Sequence, residues 1–295
     1  MHARIRRLLG KDHFLAEELT SERGHATEIA KNASKEGAEA VFVLGGDGTL
    51  NEVANGLRGT ETVLAPLPGG STNVLARSLA IPINPVDAAE QTLNALQRCE
   101  YSQIGLGSVN ERRFLFHVGV GFDAKVVELV ERRSDLKRWL RHPLFIWEAG
   151  ASWLWHFDKK NTRFEASFGV NGEATGSDES EFVGGQLAVC LNSSPYTYLG
   201  NRPLDIAPDA NLDSDLVLAF VHSLNALGLI RLAMKALRGG EHFKKDRRVD
   251  YRCDLKSFSI TSHTPVPYQV DGDFVEYATH LDFRYDAEAL WLLHP

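Results

Sequence analysis

In the stretch VFVLGGDGTLNEVANGL, residues 41–57, an apolar run meets a glycine pair, an aspartate occupies the turn, and a helical pattern follows at once. Gly45, Gly46 and Gly48 let the chain turn tightly and leave room for an anion at the exposed amides and positive dipole end of a helix. Asp47 sets this turn apart. A carboxylate beside a phosphate costs repulsion unless a cation lies between them or a hydroxyl donates to it. The stretch therefore reads as a loop that handles phosphate together with a metal or a hydroxyl, against the plainer alternative of a strand-to-helix turn. Thr49 and Glu52 fit a capping box, threonine at N-cap with glutamate three residues on, which predicts a helix opening at Thr49.

PGGSTNVLAR, residues 68–77, repeats the arrangement. Gly69 and Gly70 clear space, Ser71 and Thr72 supply hydroxyls, and Asn73 can donate to phosphate or nucleoside atoms while starting its own helix. Two such turns point to one nucleotide held by both. Other phosphate signatures fail: no G-x-x-x-x-G-K-[ST] is present. Gly119, Gly121 and Ala124 satisfy G-x-G-x-x-A, yet the acidic residue expected about 20 positions on gives way to KRWLRHPLFIW, residues 137–147.

The elements around these turns alternate. Residues 24–37 read as a helix closed by Gly37, 38–44 as a buried strand, 49–59 as a helix with Leu50, Val53, Ala54 and Leu57 on one face. Residues 62–67 form a second strand, 73–80 a short helix stopped before Pro82, and 85–97 a further helix. Strand–helix alternation with short turns predicts a parallel sheet covered on both faces, whose ligands bind at the carboxyl ends of the strands. Both glycine turns lie there. After about residue 100 the segments become short, alternating and turn-punctuated, as in an antiparallel sandwich or barrel, with helical insertions near 124–157 and 224–239. The expected organisation is an α/β domain over 1–100, a β-sandwich domain over 101–281 with a cleft between the two, and a segment 282–295 returning to the first domain.

Composition bounds the partners. A chain of 295 residues with 43% hydrophobic residues is large enough for one or two globular cores, and a net charge of −7 argues against a general nucleic-acid binder. Cys99, Cys190 and Cys253 are odd in number and far apart, which suggests reduced packing residues in a cytosolic protein. No apolar run approaches the roughly 18–20 residues that span a bilayer, and the first residues, MHARIRRLLGKDHF, lack the apolar core of a signal peptide.

At GGDGTLNEVANGL followed by PGGSTN, the chain resembles the lipid kinase family of bacterial diacylglycerol kinases, sphingosine kinases and ceramide kinases. The resemblance continues through GVGFDA (119–124), APDANLDSDLVLAF (207–220) and QVDGDF (269–274), so it covers nearly the whole chain. NAD kinases share GGDGT and a similar two-domain plan, but the following LNEVANGL is similar to the lipid kinases. The resemblance implies an α/β nucleotide domain, a C-terminal β-sandwich, and ATP with Mg²⁺ held between them. It implies that Gly46, Asp47, Gly48, Thr49, Asn51 and Glu52 contact ATP and metal, that Thr20 meets the nucleotide and that Ser71 stands for the hydroxyl of the second turn. Asp123 corresponds to an acidic residue near the acceptor and joins Asp47 as a metal ligand. Asp273 falls where the family has the glutamate of DGE, the general base, one methylene longer; Asp47 is the alternative base. The acceptor expected is diacylglycerol, with sphingoid base, ceramide or NAD as alternatives, and a nucleotide-binding protein with little turnover as the other class.

Three departures stand out. The family opens with a strand and a glycine-containing NP turn, whereas this chain begins inside the following helix at ARIRRLLG. Val74 stands where many bacterial relatives carry the aspartate of ND. LDSDL replaces a common DDG, leaving Asp213 and Asp215 as the structural metal ligands.

A lipid kinase must reach a bilayer without spanning it. Trp139, Trp147, Trp153 and Trp155 with Arg132, Arg133, Lys137, Arg138 and Arg141 suit a reversibly bound interfacial segment, or else the tryptophans pack the helices onto the sandwich. Lys244, Lys245, Arg247 and Arg248 form a second basic run. The expected setting is cytoplasmic, peripherally bound to the inner face of the membrane, with a homodimer left open.

Overall fold

The computed structural model describes residues 1–11, 13–132, 164–168, 181–223 and 225–295, which form two compact units. The first comprises Met1–Gly105 and Ala287–Pro295, the second Leu106–Asp286.

In the first unit, helix α1 (His2–Leu9) precedes an irregular stretch, then α2 (His25–Lys35), β1 (Ala40–Gly45), α3 (Asp47–Leu57), β2 (Val63–Pro68), α4 (Val74–Ser78) and α5 (Pro85–Gln97). β1 and β2 pair in parallel from Ala40↔Val63 to Gly45↔Pro68. On the other side of β2, Leu64 meets Leu292 in the parallel end of the last strand. Strand parity divides the layers. Phe42, Leu44, Ala65 and Leu67 lie among Ala88, Ala89 and Ala95 of α5, while α3 packs on both strands from the other side and carries α2 with it. All six residues of β2 are buried, as a central parallel strand requires. Asn84 accepts the Val86 amide at 3.0 Å and Pro85 occupies the first turn, so α5 begins where its sequence places it.

The second unit contains β3 from Leu106 onward (whole strand Tyr101–Val109), β4 (Arg112–Phe114), β5 (His117–Gly121), α6 (Phe122–Arg132), β6 (Phe164–Phe168), β7 (Glu181–Gly185), β8 (Leu187–Leu191), the hairpin β9 (Thr197–Leu199) and β10 (Arg202–Leu204), β11 (Leu216–Val221), α7 (Ala226–Arg238), α8 (Gly240–Lys244), β12 (Val249–Leu255), β13 (Ser257–Val270) and β14 (Asp273–Leu293), which leaves this unit after Asp286. Antiparallel neighbours run β13, β5, β8, β11, β12, and β6 joins β13 with β7 beside it. LAVCL and LVLAFV look like unbroken apolar runs because β8 and β11 are buried on both faces. Ala188, Cys190, Leu218 and Phe220 enter a core with Phe114, Phe164, Phe258 and Phe283. Val189, Leu191, Val217 and Ala219 enter another with Leu229, Leu232 and Ala236 of α7 and Phe243 of α8. The expected helical insertion near 224–239 is α7; of the one near 124–157, the described part is α6, and the tryptophan-rich remainder lies outside the described residues.

The α2–α3 contact is close enough to depend on one glycine. A β-carbon at Gly56 would sit 2.5 Å from the Thr27 carbonyl oxygen and 2.7 Å from Ala30 Cβ, so even a methyl group must push α2 away. Gly56→Ala should therefore destabilise the protein by about 1–3 kcal/mol despite the better helix propensity of alanine. Denaturant unfolding of the two proteins checks this, and an unchanged or raised midpoint would refute the tight contact.

Candidate functional site

The equal register of β1 and β2 delivers both glycine turns at the same level of the first unit. Beyond the strands, the Gly69 amide still donates to the Gly45 carbonyl at 2.9 Å. A β-carbon on Gly70 would lie 2.6 Å from Gly46 Cα, and one on Gly69 would lie 2.9 Å from the Gly45 nitrogen. These glycines thus make room first for each other, with backbone on backbone. Gly48 differs: a β-carbon there would meet open space, so this position is bare toward the outside of the turn. Thr49 stands over Gly45, whose β-carbon would be 2.9 Å from Thr49 Cβ.

Helix α3 opens three residues earlier than a capping box with Thr49 at N-cap requires. Gly46 takes the N-cap place without a side-chain cap, and Asp47 is the first helical residue. Glu52 is drawn elsewhere. Its carboxylate accepts the Gly24 amide at 2.9 Å and the Ala26 amide at 3.1 Å, so it caps α2. The physical reason is at Gly24, the left-handed N-cap of α2, which has no side chain of its own to satisfy those amides. Asn73 starts its helix as expected, as the N-cap of α4. It is left-handed, and its amide closes on Gly70, accepting from the Gly70 nitrogen at 2.8 Å and donating to the Gly70 oxygen at 3.0 Å.

Asp47 Oδ1 accepts the Leu75 amide at 3.4 Å, at the opening turn of α4. Burial raises its carboxyl above the ordinary range, and the amides of Val74, Leu75 and Asn73 oppose that rise. Asn51 is joined to Asn55 on the next turn. Ser71 is exposed on the second turn, and Thr20 is exposed in the irregular stretch before α2. Gly45, Gly46, Asp47, Gly48, Thr49, Gly70 and Asn73 are therefore one cluster of two touching turns.

In the second unit, Asp123 lies in the first turn of α6. Its Oδ1 accepts the Tyr196 hydroxyl at 2.7 Å and its Oδ2 accepts Nε2 of Gln269 at 2.8 Å. Oε1 of Gln269 in turn accepts the Gly272 amide at 2.8 Å. Asp271 and Gly272 are both left-handed (φ 50° and 86°) and form a two-residue hairpin turn, with Val270 paired to Asp273. The Asp271 carboxylate accepts the Leu115, Phe116 and His117 amides at 2.9, 3.0 and 2.8 Å. Bonds to a carboxylate contribute about 1.5–3 kcal/mol each against about 1 for neutral pairs, so these three pin the turn to β5. Asp273 opens β14, half-buried, with Arg112 of β4 at 3.6 Å.

The Tyr196 ring packs against His117 with centroids 4.4 Å apart and planes tilted by 45°. Burial lowers the His117 pKa to about 4, with the Asp123 charge opposing, so the imidazole is neutral near pH 7. Burial, then Asp123, raises the Tyr196 hydroxyl well above its usual value, so it keeps its proton and donates. Gln269, Asp271, Tyr196 and His117 were not singled out by sequence reasoning; only Gln269 and Asp271 carried a signal, as neighbours of Asp273 in QVDGDF. Gly119 and Gly121 also find their use here. A β-carbon at Gly119 would lie 1.7 Å from Asp123 Oδ2, and Gly121 is left-handed against the Gln186 carbonyl.

Asp213 and Asp215 precede β11, and their charges act on the half-buried Tyr285, raising its pKa after burial itself. Among the described residues, no three His, Cys, Asp or Glu side chains gather to hold a metal. Lys244 pairs with Asp209 at 2.6 Å, Lys245 with Glu241 at 3.0 Å and Arg248 with Asp246 at 2.8 Å, so the second basic run is largely neutralised. Asp246 is buried, and Arg248 and Lys235 hold its carboxyl well below the usual range.

Residues 1–131 match the family model of the diacylglycerol kinase catalytic domain. A diacylglycerol kinase of Bacillus subtilis (strain 168) is 30% identical over 256 residues, covering 85% of this chain and 76% of the relative. A probable lipid kinase, YegS-like, of Pseudomonas syringae pv. syringae is 30% identical over 253 residues, covering 82% and 77%. Among solved structures, a putative diacylglycerol kinase from Bacillus anthracis str. Sterne shares the fold with a TM-score of 0.69 at 21% identity, over 94% of this chain and 83% of that one. An NAD kinase from Archaeoglobus fulgidus in complex with ATP shares it at 0.50 and 9% identity, over 99% and 88%. With its two glycine turns, its β-sandwich and these relatives, the chain belongs to the diacylglycerol kinase family of lipid kinases.

Proposed function

We propose that this protein transfers the γ-phosphate of ATP to a lipid hydroxyl, with diacylglycerol as acceptor and phosphatidic acid as product. The observation that carries the reading is the pair of touching glycine turns at the ends of β1 and β2, bare at Gly48 and opening into α3. Free amides at a helix start attract phosphate, and a relative named diacylglycerol kinase matches most of the chain.

The acceptor oxygen attacks the γ-phosphorus while the bond to the β–γ bridging oxygen breaks, releasing ADP. The hydroxyl proton passes to a carboxylate, for which Asp273 is our assignment. Aspartate in place of glutamate shortens the reach by one methylene, and the rigid hairpin at 271–273 offers a fixed platform for it. Asp47 in the first unit and Asp123 in the second would each offer hard carboxylate oxygens of the kind that suits Mg²⁺. Mg²⁺ when bound neutralises charge on the transferring phosphate.

Association with the membrane surface is supported by α7. Leu227, Ile230 and Met234 are 68%, 50% and 50% exposed, opposite the buried Leu229, Leu232 and Ala236. Spaced at i, i+3 and i+7, they share a stripe with Arg231 and Arg238, and the helix contains no acidic residue although the chain carries −7 overall. An apolar stripe edged by arginine suits an anionic bilayer surface. No helix among the described residues is long and apolar enough to cross one.

Two outcomes are expected. Labelled γ-phosphate from Mg-ATP should enter organic-extractable product from diacylglycerol micelles more than from ceramide, sphingosine or soluble NAD, and Asp47→Asn and Asp273→Ala should each reduce it roughly a hundredfold or more. Incorporation into none of these acceptors would refute the kinase reading, and preference for another lipid would refute the acceptor. In sedimentation with phosphatidylglycerol vesicles, Leu227→Glu with Ile230→Glu should weaken binding at least about tenfold; equal binding would remove α7 from the membrane face.

A further inference from the structure

We infer that Gln269 is a positioning residue for the phosphoryl transfer, a single buried amide that holds the Asp123 carboxylate and the turn bearing Asp273 in one geometry. The inference rests on the roles given above to Asp123 and Asp273.

Gln269 is fully buried at the end of β13. The orientation of its amide follows from its partners. The Gly272 nitrogen can only donate, so it must face Oε1, at 2.8 Å; Nε2 is then left to donate to Asp123 Oδ2, also at 2.8 Å. Tyr196 takes the other carboxylate oxygen, so both oxygens of Asp123 are held from different elements. The surroundings are cut to fit this bridge. On β5, a β-carbon at Gly119 would lie 1.7 Å from Asp123 Oδ2 and 2.7 Å from Gln269 Nε2, so a larger residue there would displace the pair. Between Tyr268 and Gln269 the β13–β14 register shifts by one residue, and such bulges re-aim side chains.

A purely packing role would be filled by methionine or leucine at lower desolvation cost. A buried primary amide avoids a penalty only when both its ends are satisfied. Here both are, by two groups 146 and 3 residues away in sequence, one of them the carboxylate assigned to the reaction and the other the turn amide beside Asp273. Losing the bridge leaves Asp123 held by Tyr196 alone and uncouples it from the hairpin, which Asp271 still pins to β5 but whose Gly272 amide loses its acceptor. Misplacement of catalytic groups by about an ångström can cost about a hundredfold in rate without changing substrate affinity.

The test pairs kinetics with amide exchange. Gln269→Met keeps length and volume but has neither hydrogen-bonding end. Its kcat on the lipid should fall about tenfold to a hundredfold while KM for ATP stays within about twofold, and exchange of the Gly272 amide should accelerate more than that of its β13 and β14 neighbours. Gly119→Ala, which keeps both side chains but crowds Asp123 Oδ2 and Gln269 Nε2 apart, should reproduce the kcat loss. If both variants keep kcat within about twofold of the unsubstituted enzyme, the positioning role is overturned. Should Gln269→Met not fold, the side-chain amide protons of Gln269 in the unsubstituted protein must exchange slowly by nuclear magnetic resonance; free exchange overturns the bridge. Absence of lipid phosphorylation by the unsubstituted protein would instead refute the kinase reading, and unchanged Gly272 exchange in Gln269→Met would still refute the bridge by itself.

Discussion

The parallel register of β1 and β2 is the constraint on which the rest of the first unit depends. It brings Gly45 opposite Pro68 and so forces the following residues of both strands into the same small volume. Only glycine lets the two backbones pass at this distance, since a β-carbon at Gly70 would fall 2.6 Å from Gly46 Cα. The starts of α3 and α4 are consequently held together, and Asp47, first in α3, reaches the amides that open α4. A slip in register would separate the turns and strand the Asp47 carboxylate, partly desolvated, without its amide partners.

A second theme is the use of carboxylates to satisfy backbone amides. Glu52 closes the start of α2, and Asp271 takes three consecutive amides at the start of β5. Each solves a local problem: a helix whose N-cap is glycine, and a strand entry with three donors facing inward. Buried donors left alone cost about 1–3 kcal/mol each, so these acids act as structural parts within motifs that read as reactive. In both units the acids assigned to the chemistry share a motif with acids that hold the backbone, Asp47 with Glu52 and Asp273 with Asp271.

Much of the architecture was legible because local chemistry and packing agree. Asn84 and Pro85 announce α5, Gly37 ends the helix before β1, and short apolar or alternating segments between turns mark the strands of the sandwich. Other features were hidden for physical reasons. Thr49 and Glu52 match a capping box in spacing, but Glu52 finds two unsatisfied amides on another helix, and that demand lies 28 and 26 residues away in sequence. Asn73 reads as a helix start, but its left-handed conformation and the closing of its amide on Gly70 are not visible in the residue types. Lys244, Lys245 and Arg248 read as a basic run, yet each meets an acid, and Lys244 meets one 35 residues away.

The sequence by itself determined the family, the strand–turn–helix order and the glycine turns, because these follow from residue types at short spacing. Backbone freedom, caps and periodicity act within a few residues and need no knowledge of distant neighbours. Tertiary structure alone decided which groups each carboxylate serves, that Gly119 makes room for Asp123, and that Gln269 joins Asp123 to the turn at Gly272. Those outcomes depend on donors and acceptors brought together across as many as 146 residues of chain, where the register of the sheet, and not the identity of adjacent residues, sets the distance.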